Sequence, residues 1–461
     1  MTKPFGSAIV IGGSIAGLLT ARVLSDYFNA VTIIERDELQ PESDFRGGVP
    51  QARHLHTLLI KGEHILMQLF PGFQRDLEAA GAVVARWGLD SSFLLPAGWT
   101  LRFDMGLTSH IITRGQLEKL VRQRITDIPN ITFGGGYVVE GLLTDADKKV
   151  VEGVHVKARS EAEAREFRAD LVVDASGRTS KAPEWLKDLG YEAPPETVID
   201  AHCGYATRWY ERPLTTKPHT IAIQARPGEG HYRGGGIMPV EGGRWVVTLL
   251  GGNSDFPPTD EDEFLSYAAS LPDTSLYEII KDAKPISPIY GYRRLENRMR
   301  HYERLQRCPE QFIVIGDAAC ALNPIYGQGM STAALEAEAL GQLLARTTSL
   351  TGFAQSFQKR LAQVIKGPWL MATSEDMRYP GVEGAKPDWI TRMGHRYLDQ
   401  VVKTIPYDSQ MARVFTEVIN LLQPFTIMMR PDLIARVLWY ALRPPKQAHP
   451  NASIPKPAEL T

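Results

Sequence analysis

The chain has few cysteines, little net charge and no long apolar run, and each lack excludes a class of protein. Its 461 residues include three cysteines without a Cys-x-x-Cys pair, so neither a disulfide framework nor a structural zinc site is expected. A net charge of −2 gives no reason to expect a nucleic acid partner. No stretch reaches the roughly 18 apolar residues that a membrane span needs, and no secretory leader is expected before the first apolar segment. These features predict a cytoplasmic protein.

The first 35 residues contain the pattern around which the chain is organised. The apolar run Ala8–Gly12 leads directly into GGSIAG at residues 12–17, and a helical segment follows. A second apolar run, Val31–Glu35, then ends on an acid. Strand, glycine turn, helix, strand and acid together form the βαβ context in which a glycine fingerprint indicates dinucleotide binding.

Each residue type in this fingerprint has a physical role. Gly12 permits the tight turn and Gly17 lets the helix pack closely on the strand, whereas Ser14 replaces the usual middle glycine. The helix N-terminus offers free N–H groups and the positive end of its dipole to a pyrophosphate. Glu35 can accept a hydrogen bond from a ribose 2′-hydroxyl, which argues against a 2′-phosphate in this site.

Further along the chain, periodicity and turn residues predict the remaining elements. Apolar spacing predicts a helix over residues 54–70, and Thr113 is a suitable N-cap for the next one. Strand-like runs separated by glycine turns, typical of an antiparallel sheet, occupy residues 197–250. Residues 353–442 read as helical, with breaks at prolines such as Pro368.

Three stretches, in order and spacing, resemble the single-component FAD-dependent monooxygenases of the para-hydroxybenzoate hydroxylase type. They are the glycine fingerprint, LVVDASGRTS at 171–180 and GDAACALNPIYGQGMS at 316–331. Within that family, RGGVPQARHLHTLL at 46–59 and NPIYGQGM look most like bacterial polyene and polyketide epoxidases.

The resemblance implies an α/β fold. A Rossmann-like FAD-binding domain of the glutathione-reductase type would carry an inserted antiparallel-sheet substrate domain and a C-terminal helical region. The expected units are a discontinuous FAD-binding domain (1–75, 105–185 and 290–350), a substrate domain (76–104 and 186–289), a helical region (351–445) and a flexible tail (446–461).

The resemblance also implies which residues contact FAD. Asp317 ends a buried strand, where its carboxylate can bond sugar-type hydroxyls, and the family makes these the ribityl chain. Pro324 can shape a rigid turn beside the flavin ring, and Gly327 and Gly329 let the backbone approach it. The expected cofactor-binding residues are Gly12, Gly13, Ser14, Ala16, Gly17, Glu35, Arg36, Arg46, Arg114, Asp174, Gly316, Asp317, Gly327, Gln328, Gly329 and Met330.

The implied activity is an FAD-dependent, NADPH- or NADH-driven monooxygenase. It would insert one oxygen atom from O₂ into a hydrophobic organic substrate through a flavin C4a-hydroperoxide. Hydroxylation and epoxidation both stay open, because the sequence shows no convincing base; Pro324, Gly327 and Gly329 would act in catalysis by positioning the flavin. The inserted sheet is expected to contact substrate through Tyr205, Trp209, Ile223, Met238 and Trp245.

Other interpretations remain open. The same scaffold serves FAD-dependent reductases of prenyl-type alkenes and non-catalytic FAD-binding modules. A flavin-dependent halogenase would need an active-site lysine and a Trp-x-Trp element, and no Trp-x-Trp occurs here. His54 and His56 are two residues apart and cannot share a metal on one helix face, so no metal is expected, although one of them could lie in the active cavity. Membrane contact through residues 411–442 is left open but not expected, and the oligomeric state is open.

Overall fold

A computed structural model describes residues 3–38, 50–158, 164–213, 215–293, 295–443, 452 and 454. Within these ranges the strands are β1 (Phe5–Ile11), β2 (Phe28–Glu35), β3 (Val83–Arg86), β4 (Ser91–Leu95), β5 (Gly98–Trp99), β6 (Thr108–Ile111), β7 (Ile131–Gly135), β8 (Tyr137–Thr144), β9 (Val151–Ala158), β10 (Arg165–Arg168), β11 (Leu171–Asp174), β12 (Glu196–Ile199), β13 (Gly204–Glu211), β14 (Thr220–Ile223), β15 (Arg233–Val240), β16 (Arg244–Gly251), β17 (Tyr290–Tyr292), β18 (Asn297–Arg300), β19 (Phe312–Val314) and β20 (Cys320–Ala321). The α-helices are α1 (Ile15–Leu24), α2 (Ile60–Leu69), α3 (Phe73–Ala79), α4 (Arg114–Thr126), α5 (Ala182–Asp188), α6 (Glu261–Ala269), α7 (Ser275–Ile280), α8 (Gly329–Leu344), α9 (Phe353–Asp376), α10 (Trp389–Thr404), α11 (Ser409–Ile419) and α12 (Pro431–Leu442).

A five-stranded parallel sheet with the order β19-β11-β1-β2-β7 brings distant parts of the chain together. Its central strands are nearly all buried, and α1 packs beside α8 over them. Parallel strands end at one edge of the sheet, so the segments after β1, β2, β11 and β19 meet there. The three sequence motifs therefore converge at this edge.

A second sheet of seven strands has the order β17-β13-β16-β15-β14-β4-β5. All its pairs are antiparallel except β14 with β4. Helices α6 and α7 cover one face, where Phe264 and Leu276 are fully buried against the sheet. The other face is turned towards the first sheet and the C-terminal helices, as contacts of Trp209 and Phe93 show.

The C-terminal helices close one side of the molecule. Val401, Met411 and Leu433 from α10, α11 and α12 form a core with Leu95 and Met105. Within the described ranges, no helix is both long and apolar enough to cross a membrane. Together the two sheets and this helical region confirm the predicted α/β class; the predicted tail (446–461) lies almost entirely outside the described residues.

Two helix predictions are wrong and one is confirmed. The helix predicted from residue 54 begins only at Ile60. Residues 54–59 do not form it because tertiary partners bond their backbone: Leu59 N donates to the buried Ser331 side chain at 2.9 Å. Pro368 does not break α9, since buried residues on both sides of it hold the helix against the core. Thr113 caps α4 as predicted, accepting from Gln116 N.

Candidate flavin site and active cavity

The glycine turn after β1 is as tight as its sequence predicts. Gly12 has a φ of +104°, and a Cβ added there would lie 2.5 Å from the carbonyl oxygen of Ala175. A Cβ at Gly17 would lie 1.8 Å from the carbonyl oxygen of Gly12. Only glycine therefore fits either position without moving backbone.

Glu35, at the end of β2, stabilises this turn through hydrogen bonds. Its carboxylate accepts hydrogen bonds from Gly13 N at 2.8 Å and Asp37 N at 3.1 Å. Beside it lies a groove of about 140 Å³, lined by Gly12, Glu35 and Arg36 together with residues of the 176–185 segment. This groove is at the position expected for the nucleotide part of a dinucleotide.

Arg114 and Ser14 meet at the N-terminus of α1. The buried Arg114 guanidinium donates to Ser14 Oγ and to Glu118, both at 2.7 Å, and Ser14 Oγ donates to Glu118 at 3.0 Å. Because the Ser14 side chain makes no cap bond to α1, the first N–H groups of that helix are left for a ligand. Arg114 adds positive charge there. Ala16 lies in the same first turn, against Gly316.

Asp174 does not reach the surface of the cleft. Its side chain is fully buried and accepts from Ser176 N at 2.9 Å and from the Ser180 hydroxyl. Burial raises the pKa of its carboxyl, with the two serines opposing that shift. Asp174 therefore fixes the loop that follows β11 through these two hydrogen bonds.

The Gly-Asp motif places a carboxylate in a deep cleft. Gly316 has a φ of +65° and donates its N–H to Glu336 at 2.6 Å. Asp317 is exposed, yet the protein around it raises the pKa of its carboxyl, while Arg178 and Arg114 lower it. Asp317 therefore lines a cleft, because it is accessible and yet surrounded by protein. Arg178 belongs to the second motif and Arg114 bonds Ser14 of the first, so the influence of both arginines places Asp317 where the three motifs meet.

The loop from Pro324 to Gly329 packs on the extended 54–59 segment. Gly327 has a φ of +65°, and its α-carbon faces Thr57, where an added Cβ would lie 3.5 Å from the Thr57 Cβ. Gln328 is buried, Gly329 is exposed and begins α8, and the half-buried Met330 follows it.

Burial favours the neutral form of both histidines of the 54–59 segment. His56 Nδ1 donates to the carbonyl oxygen of His54 at 2.9 Å, which leaves its Nε2 as an acceptor. Burial lowers the pKa of His56 to about 4. His54 is buried edge-on to Tyr205 and bonds Thr207 at 2.9 Å, and burial lowers its pKa to about 3.

A mainly apolar cavity of about 290 Å³ lies next to this loop. Three regions that are distant in sequence enclose it: the 325–326 part of the loop, strands β4 and β14, and helices α9 and α11. Its lining residues are Trp87, Gly88, Ser91, Phe93, Leu94, Leu95, Thr100, Met105, Ala222, Ile223, Gln224, Ala225, Pro227, Gly235, Leu250, Ile325, Tyr326, Glu375, Tyr379, Ile405, Ala412, Phe415, Thr416 and Ile419.

A buried acid holds the loop beside the cavity. Asp376 accepts from Tyr326 OH at 2.6 Å and from the side-chain amides of Asn297 and Asn323. Burial raises the pKa of Asp376 to about 7. The tyrosine ring is thereby fixed in the cavity wall.

Of the residues predicted to contact substrate, Ile223 lines this cavity and four lie elsewhere. Trp245 packs under α6 and α7, and Trp209 donates to the Arg53 carbonyl at 2.8 Å. Tyr205 stacks on Tyr292 with ring centroids 5.5 Å apart, and Met238 lies beside Thr57.

The α11 residues of the cavity wall were missed, although their spacing carried a signal. Ala412, Phe415, Thr416 and Ile419 share one face of that helix at i, i+3, i+4 and i+7. The spacing defines a face but does not say what the face covers. Glu375, near the end of α9, was missed for the same reason.

The residues present fit FAD. The observations are the glycine turn that a Cβ would block, the uncapped N-terminus of α1, and the exposed Asp317 carboxylate within the cleft. Of the other predicted cofactor contacts, Arg46 lies outside the described residues. Bound there, FAD would supply the activation of O₂.

Comparisons with known proteins agree with this geometry. A family model described as "FAD binding domain" matches residues 77–357. Protein Rv3254 of Mycobacterium tuberculosis (strain ATCC 25618 / H37Rv) is 31% identical over 454 residues, covering 96% of this chain and 95% of that protein.

Two solved structures share the fold. The p-nitrophenol 4-monooxygenase PnpA from Pseudomonas putida DLL-E4 has a TM-score of 0.63 at 17% identity, covering 91% of this chain and 99% of that one. The flavin-dependent brominase Bmp2 has a TM-score of 0.64 at 14% identity, covering 94% and 98%. With the family match, the three motifs and the fitting site, the chain belongs to the FAD-binding-domain family and is an FAD-dependent monooxygenase of the para-hydroxybenzoate hydroxylase-like kind.

Proposed function

We propose that the protein uses NADPH or NADH to insert one oxygen atom from O₂ into a compact, apolar organic molecule held in the 290 Å³ cavity. The observation that carries this proposal is the shared wall. Ile325 and Tyr326 line the cavity and belong to the same loop as Pro324, Gly327 and Gly329, the proposed flavin-positioning residues. A molecule in the cavity would therefore lie against the flavin loop.

The chemistry of the wall suits an oxygenase. Leucine, isoleucine, phenylalanine and tryptophan side chains dominate it, so a bound apolar molecule displaces water from the reaction space. Exclusion of water protects reactive intermediates from side reactions and strengthens the electrostatic interactions within the site. The chain's own part is to orient the substrate and to keep the loop fixed, which the Asp376–Tyr326 hydrogen bond supports.

The size of the cavity favours a compact substrate. Ligand pockets span roughly 300–1,000 Å³, and this cavity of about 290 Å³ lies just below that range. A one- or two-ring aromatic or a short terpenoid-like molecule fits this volume better than an extended polyene does. Hydroxylation and epoxidation both remain candidate reactions for such a molecule.

The test is a ¹⁸O₂ experiment on the purified, FAD-saturated protein with a panel of compact apolar substrates. We expect oxidation of NADPH or NADH, uptake of O₂ and one ¹⁸O atom in the product. A product that gains two hydrogens without O₂ uptake would instead identify an alkene reductase, and a halide-dependent product would identify a halogenase. No lysine from the described part of the chain lines the cavity, which disfavours the halogenase.

A further inference from the structure

The cavity contains one formal charge, and it is negative. Among the described residues that line it, Glu375 is the only carboxylic acid, and no lysine, arginine or histidine accompanies it. The remaining polar side-chain groups of the wall are hydroxyls, one amide and the indole N–H of Trp87. A cavity with this lining offers no cation to an anionic ligand.

The Glu375 carboxylate has one oxygen engaged and one open. Its Oε1 accepts from Arg378 Nε at 3.1 Å. No described residue donates a hydrogen bond to its Oε2, and the side chain keeps 24% of its surface accessible. An accessible carboxylate oxygen in a mainly apolar wall is a hydrogen-bond acceptor for whatever enters the cavity.

Arg378 does not neutralise this end of the cavity. Its guanidinium is shared with Asp399, which accepts from Arg378 Nη1 at 2.8 Å on the outer side. The two carboxylates and one guanidinium leave an excess negative charge, and the arginine itself is outside the cavity wall. In surroundings of low dielectric constant, this charge repels an anion and attracts a donor.

We propose that Glu375 is the specificity-determining residue of the cavity. The cavity binds an apolar molecule whose polar end donates a hydrogen bond through O–H or N–H, either as a neutral group or as an ammonium. It excludes carboxylates. This rests on the proposed function only in assigning the cavity to the substrate. The donor end binds Glu375 Oε2, and the apolar body lies between β14 and α11.

The test is binding to the FAD-saturated, oxidised protein at pH 8 without NADPH or NADH, followed by calorimetry and by the flavin absorption spectrum. Four probes share one skeleton: naphthalene, 2-naphthol, 2-naphthylmethylamine and 2-naphthoate. We expect the naphthol and the amine to bind about tenfold or more tightly than the naphthoate. Glu375→Gln should weaken amine binding by about tenfold and narrow its advantage over the naphthoate.

Glu338→Gln is the matched control, because it makes the same substitution on α8, where the side chain pairs with Lys61 and does not line the cavity. It should leave the order of the four affinities unchanged. The proposal is overturned if the naphthoate binds as tightly as the amine, if Glu375→Gln leaves the order unchanged, or if none of the four binds. If a variant folds poorly, the order of the four affinities in the wild-type protein still tests the proposal. Because the binding experiment involves no turnover, a failure of oxygenation in the ¹⁸O₂ experiment is a separate result.

Discussion

Gly17 makes the most severe steric demand in the flavin site. In Gly17→Ala the new methyl group would lie 1.8 Å from the carbonyl oxygen of Gly12, and backbone at both sites would have to move. We expect this variant to lose FAD affinity by at least about tenfold, because the turn that presents the α1 N–H groups is displaced.

FAD content after gel filtration and the melting temperature measure this effect. Gly394→Ala, at an exposed site in α10 where an added Cβ meets nothing within 4 Å, is the control. It should retain FAD and gain up to about 1 kcal/mol of stability from helix propensity. Full FAD retention in Gly17→Ala would show that the turn tolerates a side chain.

The buried carboxyl of Glu336, which contacts the Gly-Asp motif, should make the free energy of unfolding depend on pH. Burial raises its pKa to about 8, against about 4.3 in an unfolded chain. Between these values the unfolded state releases a proton that the folded state keeps, so the free energy of unfolding falls as pH rises. Glu336→Gln keeps an acceptor for Gly316 N and removes the ionisation.

The difference in unfolding free energy between Glu336→Gln and wild type should therefore grow in favour of the variant from about pH 5 to pH 8. Its slope should be at most about 1.4 kcal/mol per pH unit, measured by urea unfolding. Glu338→Gln, on the same helix but partly exposed, should follow the wild-type curve. Parallel curves for Glu336→Gln and wild type would contradict the raised pKa.

The predictable residues are those whose neighbours in sequence define their environment. Gly12, Gly17 and Glu35 occupy one short βαβ unit, so spacing alone indicates their turn and its ligand. Glu375 could not be predicted, because its position in the cavity depends on how α9 packs against two distant regions. Asp174 shows the same limit: its place at a strand end was clear, but not that two serines would enclose it.

The extended segment before α2 shows how tertiary hydrogen bonds override helical periodicity. Leu55 N donates to Thr248 Oγ1 at 3.4 Å and Leu59 N to Ser331 Oγ at 2.9 Å. These partners come from a distant strand and a distant helix, so no window of local sequence could reveal them. The apolar positions that suggested a longer helix pack instead against the second sheet, as Leu55 does beside Trp209.

Ser331→Ala tests this segment. The substitution leaves the buried Leu59 N–H without its acceptor, and we expect the free energy of unfolding to fall by about 1–3 kcal/mol. Urea unfolding measures the loss, and Ser409→Ala at the exposed first residue of α11 should change the free energy of unfolding by less than about 0.5 kcal/mol. Equal stabilities of the two variants would mean that another acceptor, such as water, replaces the serine.

Across the whole molecule, three separate regions enclose the cavity while the glycine fingerprint and its neighbours form the dinucleotide groove. The family resemblance was enough to predict the two sheets and the helical region, because motif order defines that architecture. It could not predict which sheet residues line the cavity, since that depends on which strands lie near α11. Ile223 of β14 lines the cavity, whereas Trp245 of β16 is on the same face of the sheet but packs under α6 and α7, outside the cavity wall.

This separation predicts that the cavity can be filled without disturbing FAD. Ala222→Leu in β14 and Ile419→Trp in α11 each place a larger side chain in the cavity, from opposite walls, and so reduce its volume. Each should weaken substrate binding by about tenfold or more, because a compact ligand loses space that neither wall can yield, while FAD affinity stays within about twofold of wild type. Leu438→Trp, on the exposed face of α12, should change neither value. Titrations of FAD and of a compact apolar ligand measure the two affinities independently, and a parallel loss of both in the cavity variants would show that the two sites are one.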